Sequence, residues 1–449
     1  MQAPLTLAID IGSTKICAII AEINLGVPRI IGMARCHSLG IRKGIITNIE
    51  QASHSIKKTV DEAKRIAGIE NLPQASICIS GAYTFGENLS GLANVPEGEI
   101  RFADIERVIK DAVSRRNSTL DAVHILPYKF QVDDYKTPSD DPMGLSANRI
   151  ECYTHIVSAK KEGLENLKKV IRNCGIEIKN IVLSAYASSI AVLTPEEKQG
   201  GVACIDIGGE ICDIMVHSGL SMCHNDYLGV GSNHITSDLA KMLAVQVSLA
   251  EQIKKEWGEL LPSKEHKGKA LGFPTKDSEQ KQVDMEVICG IIQNRVRETL
   301  EVLDSLLKRC EVRENLRGVV LTGGFAKLKN LQKYANDLKI FQNLPVRIGI
   351  PTEIEGIASS EELQSPEMAT VVGLVLYSAG RFTNYESSGR GKIQMLKSYA
   401  TKEVESILPN EDAEVGDVKN LQIQPIKSGI GNPFKKVFGG FYEWLKSLF

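Results

Sequence analysis

At 449 residues, with ordinary shares of charged (24%) and hydrophobic (43%) side chains, the chain has enough apolar material for roughly two to four separate cores. A formal net charge of −2 leaves no basic excess to neutralise phosphates, which argues against nucleic acid as a partner. The ten cysteines form no C-x-x-C pair and no Cys/His cluster at metal-ligand spacing, so they read as buried thiols in a reducing cytoplasm. No secretory leader pattern and no run of ~18 uncharged apolar residues is present, so the expected place is the cytosol or the surface of a membrane.

Residues 5–9 and 15–22 read as strands on either side of the turn Asp10-Ile11-Gly12-Ser13-Thr14, with a further strand near 29–34. Ile56, Val60, Ala63 and Ala67 recur at helical spacing and predict a helix over 49–67, stopped by Gly68. The run 75–80 is a buried strand ending at Gly81. A small α+β unit is expected over about 83–160, with a helix at 103–116 and strands at 123–132 and 149–158. Helices at 164–174 and 185–193 lead to a second strand, turn and strand at 202–217. There Cys204-Ile205-Asp206-Ile207-Gly208 repeats Ala8-Ile9-Asp10-Ile11-Gly12, which implies two related halves facing each other across a cleft. Helices are expected over 234–309, interrupted by a polar stretch at 262–280. A strand at 318–321, the turn Thr322-Gly323-Gly324 and a helix follow. The compact fold is expected to end near Gly380, with a helix and a flexible linker over 381–431.

An apolar strand ending in Asp10 places a carboxylate where a hydrated Mg²⁺ can be held. Gly12 lets backbone approach a phosphate, the N–H groups of Ser13 and Thr14 can donate to it, and Lys15 adds a cation. A lone turn of this kind is as often an ordinary hairpin. Its recurrence at Asp206, Gly208 and Gly209, followed by the buried strand entering Gly323-Gly324, sharpens the reading. The three features in this order resemble the two phosphate motifs and the adenosine motif of the actin-like ATPase superfamily.

Within that superfamily the chain resembles the bacterial cell-division FtsA family over most of residues 5–380. The resemblance is carried by Lys43-Gly44-Ile45-Ile46-Thr47, Ile79-Ser80-Gly81-Ala82, Asp141-Pro142-Met143-Gly144-Leu145, Val230-Gly231-Ser232-Asn233-His234-Ile235-Thr236, Pro345-Val346-Arg347-Ile348-Gly349 and Ala369-Thr370-Val371-Val372-Gly373-Leu374. It implies an α/β, two-lobed actin/Hsp70/sugar-kinase-like fold with duplicated ribonuclease-H-like cores. The first lobe would take 1–82 and 161–194, completed by about 350–380; the inserted α+β subdomain 83–160; the second lobe 195–231 and 313–349; and a helical subdomain 232–312. ATP and Mg²⁺ are the implied ligands, with Asp10 and Asp206 holding the metal through water and Gly231 lying at the phosphates. The segment Ala250-Glu251-Gln252-Ile253-Lys254 resembles the helix that contacts ribose and adenine, which implicates Glu251 and Lys254; by themselves they equally suit a solvated helix face.

Two departures bear on chemistry. The second phosphate turn reads Gly209-Glu210-Ile211-Cys212 where the family has further glycine and hydroxyl residues, and Ser184 stands where an acidic residue is common. ATP binding with very slow hydrolysis is therefore the expectation. Glu210 either faces the phosphates and repels them, or faces solvent.

The last 18 residues begin Asn432-Pro433, a favourable helix start. At helical spacing Phe434, Val437, Phe438, Phe441, Tyr442, Trp444, Leu445, Leu448 and Phe449 fill an arc of roughly 160°, with Lys435, Lys436 and Lys446 flanking it. Such a helix lies in the headgroup plane of a membrane. The family resemblance implies a protein that polymerises beneath the cytoplasmic membrane at the division site, tethers the C-terminal tail of tubulin-like FtsZ through a site in 232–312, and recruits other division proteins. The rivals are a membrane-associated pilus-assembly ATPase and a small-molecule kinase of the same fold.

Overall fold

In a computed structural model of the protein, residues 3–394 are described except 220, 262–266, 275–279, 353–354, 357–361 and 389–392. The amphipathic segment 432–449 and nearly all of the expected linker lie outside the described residues.

The chain opens with β1 (Leu5–Ile11), β2 (Lys15–Asn24) and β3 (Val27–His37), then the short β4 (Ile41–Arg42) and β5 (Ile45–Ile46). Next come α1 (Ile49–Ala67) and β6 (Ala75–Ile79). The inserted unit contributes β7 (Thr84–Asn94), α2 (Phe102–Ser114), β8 (Asp121–Val132) and β9 (Arg149–Ala159). The chain continues through α3 (Lys161–Asn173), β10 (Ile178–Leu183), α4 (Ser184–Val192) and α5 (Pro195–Gly200). The second half holds β11 (Val202–Ile207), β12 (Cys212–Ser218), β13 (Ser221–Leu228), α6 (Ser232–Leu243) and α7 (Val247–Trp257). It goes on with β14 (Ala270–Pro274), β15 (Gln280–Asp284), α8 (Met285–Leu307), β16 (Gly318–Thr322), α9 (Leu331–Asp337) and β17 (Val346–Ile348). The last elements are β18 (Glu355–Gly356), α10 (Ala369–Ser378) and β19 (Ser387–Ser388).

Two sheets repeat one topology. Strands β3-β2-β1-β6-β10 and β13-β12-β11-β16-β17 run in the same spatial order, antiparallel among the first three and parallel thereafter. In the first sheet β18 adds to the edge beyond β3. The inner parallel strands β6 and β16 are buried on both faces, every residue of β6 and all but the first of β16, while the edge strands β10 and β17 are only partly covered. Helix α1 starts where the Asn48 side chain accepts the Gln51 N–H and stops at Gly68, whose φ of 67° closes the last turn. Its Ala52, Ile56, Val60 and Ala63 join the core beneath the first sheet. A second core lies between the other sheet and α6–α8. Helices α4 and α10 pack backbone to backbone, since a Cβ on Gly373 would collide with the Ala187 carbonyl.

The structure departs from the sequence expectations in three places. The inserted unit has a third full-length strand, β7, paired with β9 from Thr84–Ala159 to Asn94–Arg149; its two glycines and exposed polar residues break the alternation that would have marked it. In and just after the polar stretch that follows α7, β14 and β15 pair antiparallel from Ala270–Asp284 to Pro274–Gln280.

The third departure is at the end of the fold: the chain does not leave it at Gly380. Residues 381–388 run back along the inserted unit as a strap, with Thr383, Tyr385, Glu386 and Ser387 buried and β19 pairing with β8. Fully buried Glu386 accepts hydrogen bonds from Tyr186 Oη (2.9 Å), Tyr377 Oη (2.9 Å) and His124 Nδ1 (2.8 Å). The Leu183 N–H donates to His124 Nε2 at 3.0 Å, so the neutral imidazole carries its proton on Nδ1 and gives it to the carboxylate.

Candidate functional site

The two strand-end turns are built alike. Gly12 N–H donates to Lys15 O (3.0 Å) and Gly208 N–H to Ile211 O (2.8 Å), so the same tight turn follows Asp10 in one sheet and Asp206 in the other. The turns face each other closely: a Cβ on Gly209 would collide with the Thr14 side chain. A Cβ on Gly231 would come within 2.5 Å of the Gly209 carbonyl carbon, and Ser232 and Asn233 donate backbone hydrogen bonds into the second turn. Gly323, at φ 84°, carries the end of β16 past Asp206, whose Oδ1 would meet any Cβ there; above Gly324 the space is open.

Asp213 is buried, and Asp10 and Asp206 are half-buried. Desolvation pushes Asp10 up to about 6, with the Lys15 ammonium opposing and the Asp206 charge reinforcing the shift. Asp206 is raised by burial too, against hydrogen bonds from Ser188 Oγ (2.5 Å, in α4) and Thr370 Oγ1 (3.0 Å, in α10), both packed on the first sheet. Asp213, facing Asp206 across the β11–β12 hairpin, accepts the Gly81 N–H at 3.0 Å. Burial and then the Asp206 charge raise it to about 7. Its counterpart in the first hairpin, opposite Asp10, is Cys17. Among the described residues no group of three His, Cys, Asp or Glu side chains converges as a complete metal cage. A cation here would take its remaining ligands from water and phosphate.

Other candidates are placed as follows. Ser13 Oγ accepts the Gly44 N–H at 2.7 Å. Lys15 Nζ donates to the Glu367 carbonyl (2.5 Å) at the entrance to α10. Lys254 is not on a solvated face: it is 8% exposed, bonded to Glu251 (2.7 Å) and Thr236 Oγ1 (2.9 Å), and reaches the Ser232 carbonyl (3.4 Å) beside the second turn. Burial would raise Glu251, but the Lys254 and Thr236 hydrogen bonds hold it below the usual carboxylate value. Glu210 takes neither orientation foreseen for it. Its Oε2 accepts the Lys43 N–H at 2.6 Å and its Oε1 lies 3.7 Å from Arg42 Nη1, so it is engaged by the β4–β5 tip. Asp213, Ser188 and the Lys43-Gly44 tip were not legible as site residues. The register of the repeated hairpins could have exposed Asp213, while the other two come from distant sequence. The membrane-face candidates from Phe434 to Phe449 lie outside the described residues.

The family model for cell division protein FtsA matches residues 203–373, and that for the SHS2 domain inserted in FtsA matches residues 81–158. The chain is 36% identical over 426 residues to a cell division protein FtsA of Helicobacter pylori strain J99, covering 88% of this chain and 86% of the relative. It is 29% identical over 394 residues to the FtsA of Escherichia coli K12, covering 85% and 92%. Among solved structures it resembles the PilM–PilN type IV pilus biogenesis complex at TM-score 0.59 and 17% identity, covering 83% of this chain and 98% of that one. It resembles MreB5 of Spiroplasma citri at TM-score 0.50 and 15% identity, covering 82% and 94%. These two likenesses establish an actin-like fold; the sequence matches reach further, and the chain belongs to the FtsA family of cell-division proteins.

Proposed function

We propose that this division protein binds Mg²⁺–ATP between its two sheets, self-associates into actin-like filaments on the cytoplasmic side of the membrane, and links the FtsZ C-terminal tail to that membrane. The observation that carries the nucleotide part is the matched pair of turns, each a half-buried aspartate followed by a glycine turn, aimed at one another. The residues fit the ligand. Gly12, Gly208, Gly209 and Gly231 let the turns and the start of α6 come together with no side chain between them, and Asp10 and Asp206 would hold Mg²⁺ through water. The MreB5 structures are described as bound to ADP and to AMPPNP, and the shared fold supports the same ligand class here.

When bound, ATP supplies a γ-phosphoryl group; the protein's part is to position it. Lys15, steadied on the Glu367 carbonyl, offsets carboxylate repulsion at the first turn. Gly323-Gly324 and the Lys254–Glu251 pair would border the nucleoside. Slow hydrolysis is expected because the two departures supply no base: Ser184 donates its hydroxyl hydrogen bond to the Ile79 carbonyl, and Cys212 its thiol to the Val230 carbonyl.

The aromatic-rich segment 434–449 would hold the protein to lipid. One tail of about one net positive charge gains only ~1 kcal/mol from anionic lipid, and Gly439 and Gly440 each cost ~1 kcal/mol of helix, so polymers should bind by avidity. The test is cosedimentation of an FtsZ tail peptide with liposomes and ATP, with and without residues 432–449. Recruitment that needs the full chain is expected. Recruitment by the truncated chain, or multiple ATP turnovers per second, would refute the corresponding part.

A further inference from the structure

The β4–β5 tip spans both phosphate turns, and it does so with two consecutive backbone amides. Lys43 and Gly44 both have positive φ, 46° and 72°, which turns their N–H groups toward the cleft. The Gly44 amide donates to Ser13 in the first turn, and the Lys43 amide donates to Glu210 in the second. The tip is rooted in the first half of the chain, where Ile46 N–H donates to Tyr83 Oη (2.7 Å) and Thr47 and Asn48 N–H donate to the Gly40 carbonyl. It lies over the second half: a Cβ on Gly229 would stand 3.9 Å from Lys43 Cδ, and one on Gly44 would touch Ile211 Cδ1 at 3.2 Å. Gly44 admits no side chain, because a Cβ would also run into Ser80. The tip thus gives one amide, that of Gly44, to the Ser13 hydroxyl of the first turn and the other, that of Lys43, to a carboxylate of the second.

We propose that Glu210 is the residue that sets nucleotide specificity: its carboxylate clasps the Lys43-Gly44 tip, so the cleft closes without a γ-phosphate and ATP and ADP are held nearly equally. The inference rests on the nucleotide reading above. Two effects act in one direction. The clasp supplies closure that a γ-phosphate would otherwise supply, so ATP gains little over ADP by closing the lobes. The Glu210 charge at the second turn, offset only in part by the exposed Arg42 guanidinium 3.7 Å away, also opposes the more highly charged nucleotide. Removing the carboxylate relieves both and hands closure to the γ-phosphate.

The experiment uses the full chain and its Glu210→Ala and Glu210→Gln variants. Amide hydrogen exchange over 41–48 is followed without nucleotide, and ATP and ADP affinities are measured by calorimetry with Mg²⁺. Wild type is expected to protect the Lys43 amide and to bind the two nucleotides within about threefold of each other. Glu210→Ala should lose that protection and raise the ATP-to-ADP affinity ratio roughly tenfold, with Glu210→Gln in between. An unchanged ratio in Glu210→Ala, or equally fast exchange of the tip in wild type and variant, overturns the clasp. If wild type binds neither nucleotide, the nucleotide reading fails, and with it the specificity role of Glu210, whatever the exchange shows of the contact.

Discussion

Asp213 concentrates the electrostatics of the cleft in one side chain. Its carboxyl is held at about 7 in the fold against 3.8 for a free aspartate, so the folded state binds the proton more tightly. The stability this contributes is full below about pH 4 and is lost as pH rises through about 7. Asp10, at about 6, acts in the same sense. Asp213→Asn keeps an acceptor for the Gly81 amide and removes the charge. It should flatten the pH dependence and raise the melting temperature near pH 8 by roughly 2–4 °C. Melts from about pH 5 to pH 8 check this, and parallel curves for the two proteins would count against it. Lys254 makes the converse case, a nearly buried cation kept by one carboxylate. Glu251→Ala should cost about 2 kcal/mol in urea denaturation, and Lys254→Met in the same chain should recover most of it. Full additivity of the two changes would show that the pair is not coupled.

Among the elements, the strap over 381–388 changes most what the sequence implied. Its residues, Arg381-Phe382-Thr383-Asn384-Tyr385-Glu386-Ser387-Ser388, have neither helical nor alternating apolar spacing. Their burial comes from partners 200 to 262 residues away, Tyr186 and His124, which meet Glu386 only in the folded chain. Glu386→Ala would strand three donors and open a polar cavity. A loss of about 3 kcal/mol is expected, with early proteolysis inside 381–394. A wild-type denaturation midpoint would show that the strap is not held by this carboxylate. Helix α1, by contrast, was legible to the residue, because its cap, apolar stripe and terminating glycine are all local.

For the whole molecule, the strap carries the packed part of the chain past Gly380 at least to Ser388. Truncation after residue 397 should therefore preserve the thermal transition and abolish liposome binding, whereas truncation after Gly380 should lower the transition as well. Circular dichroism melts with liposome flotation separate the two; indistinguishable melts for both truncations would refute the strap's role. The duplicated sheets were visible beforehand because each half repeats the same five-residue strand end. The way the halves hold each other was not.

Local periodicity and the repeated Asp-x-Gly turns determined, without any coordinates, that this chain has two α/β halves with matching strand-end turns and the marks of its family. Those signals lie within a few residues of one another, where spacing alone dictates geometry. Only the tertiary structure decided that Glu210 meets the Lys43 amide, that Asp206 is held by Ser188 and Thr370, and that Glu386 closes the fold. Each of these contacts joins segments that no local pattern pairs, and for Glu386 the reason is that a polar group buried by long-range packing must find its partners there.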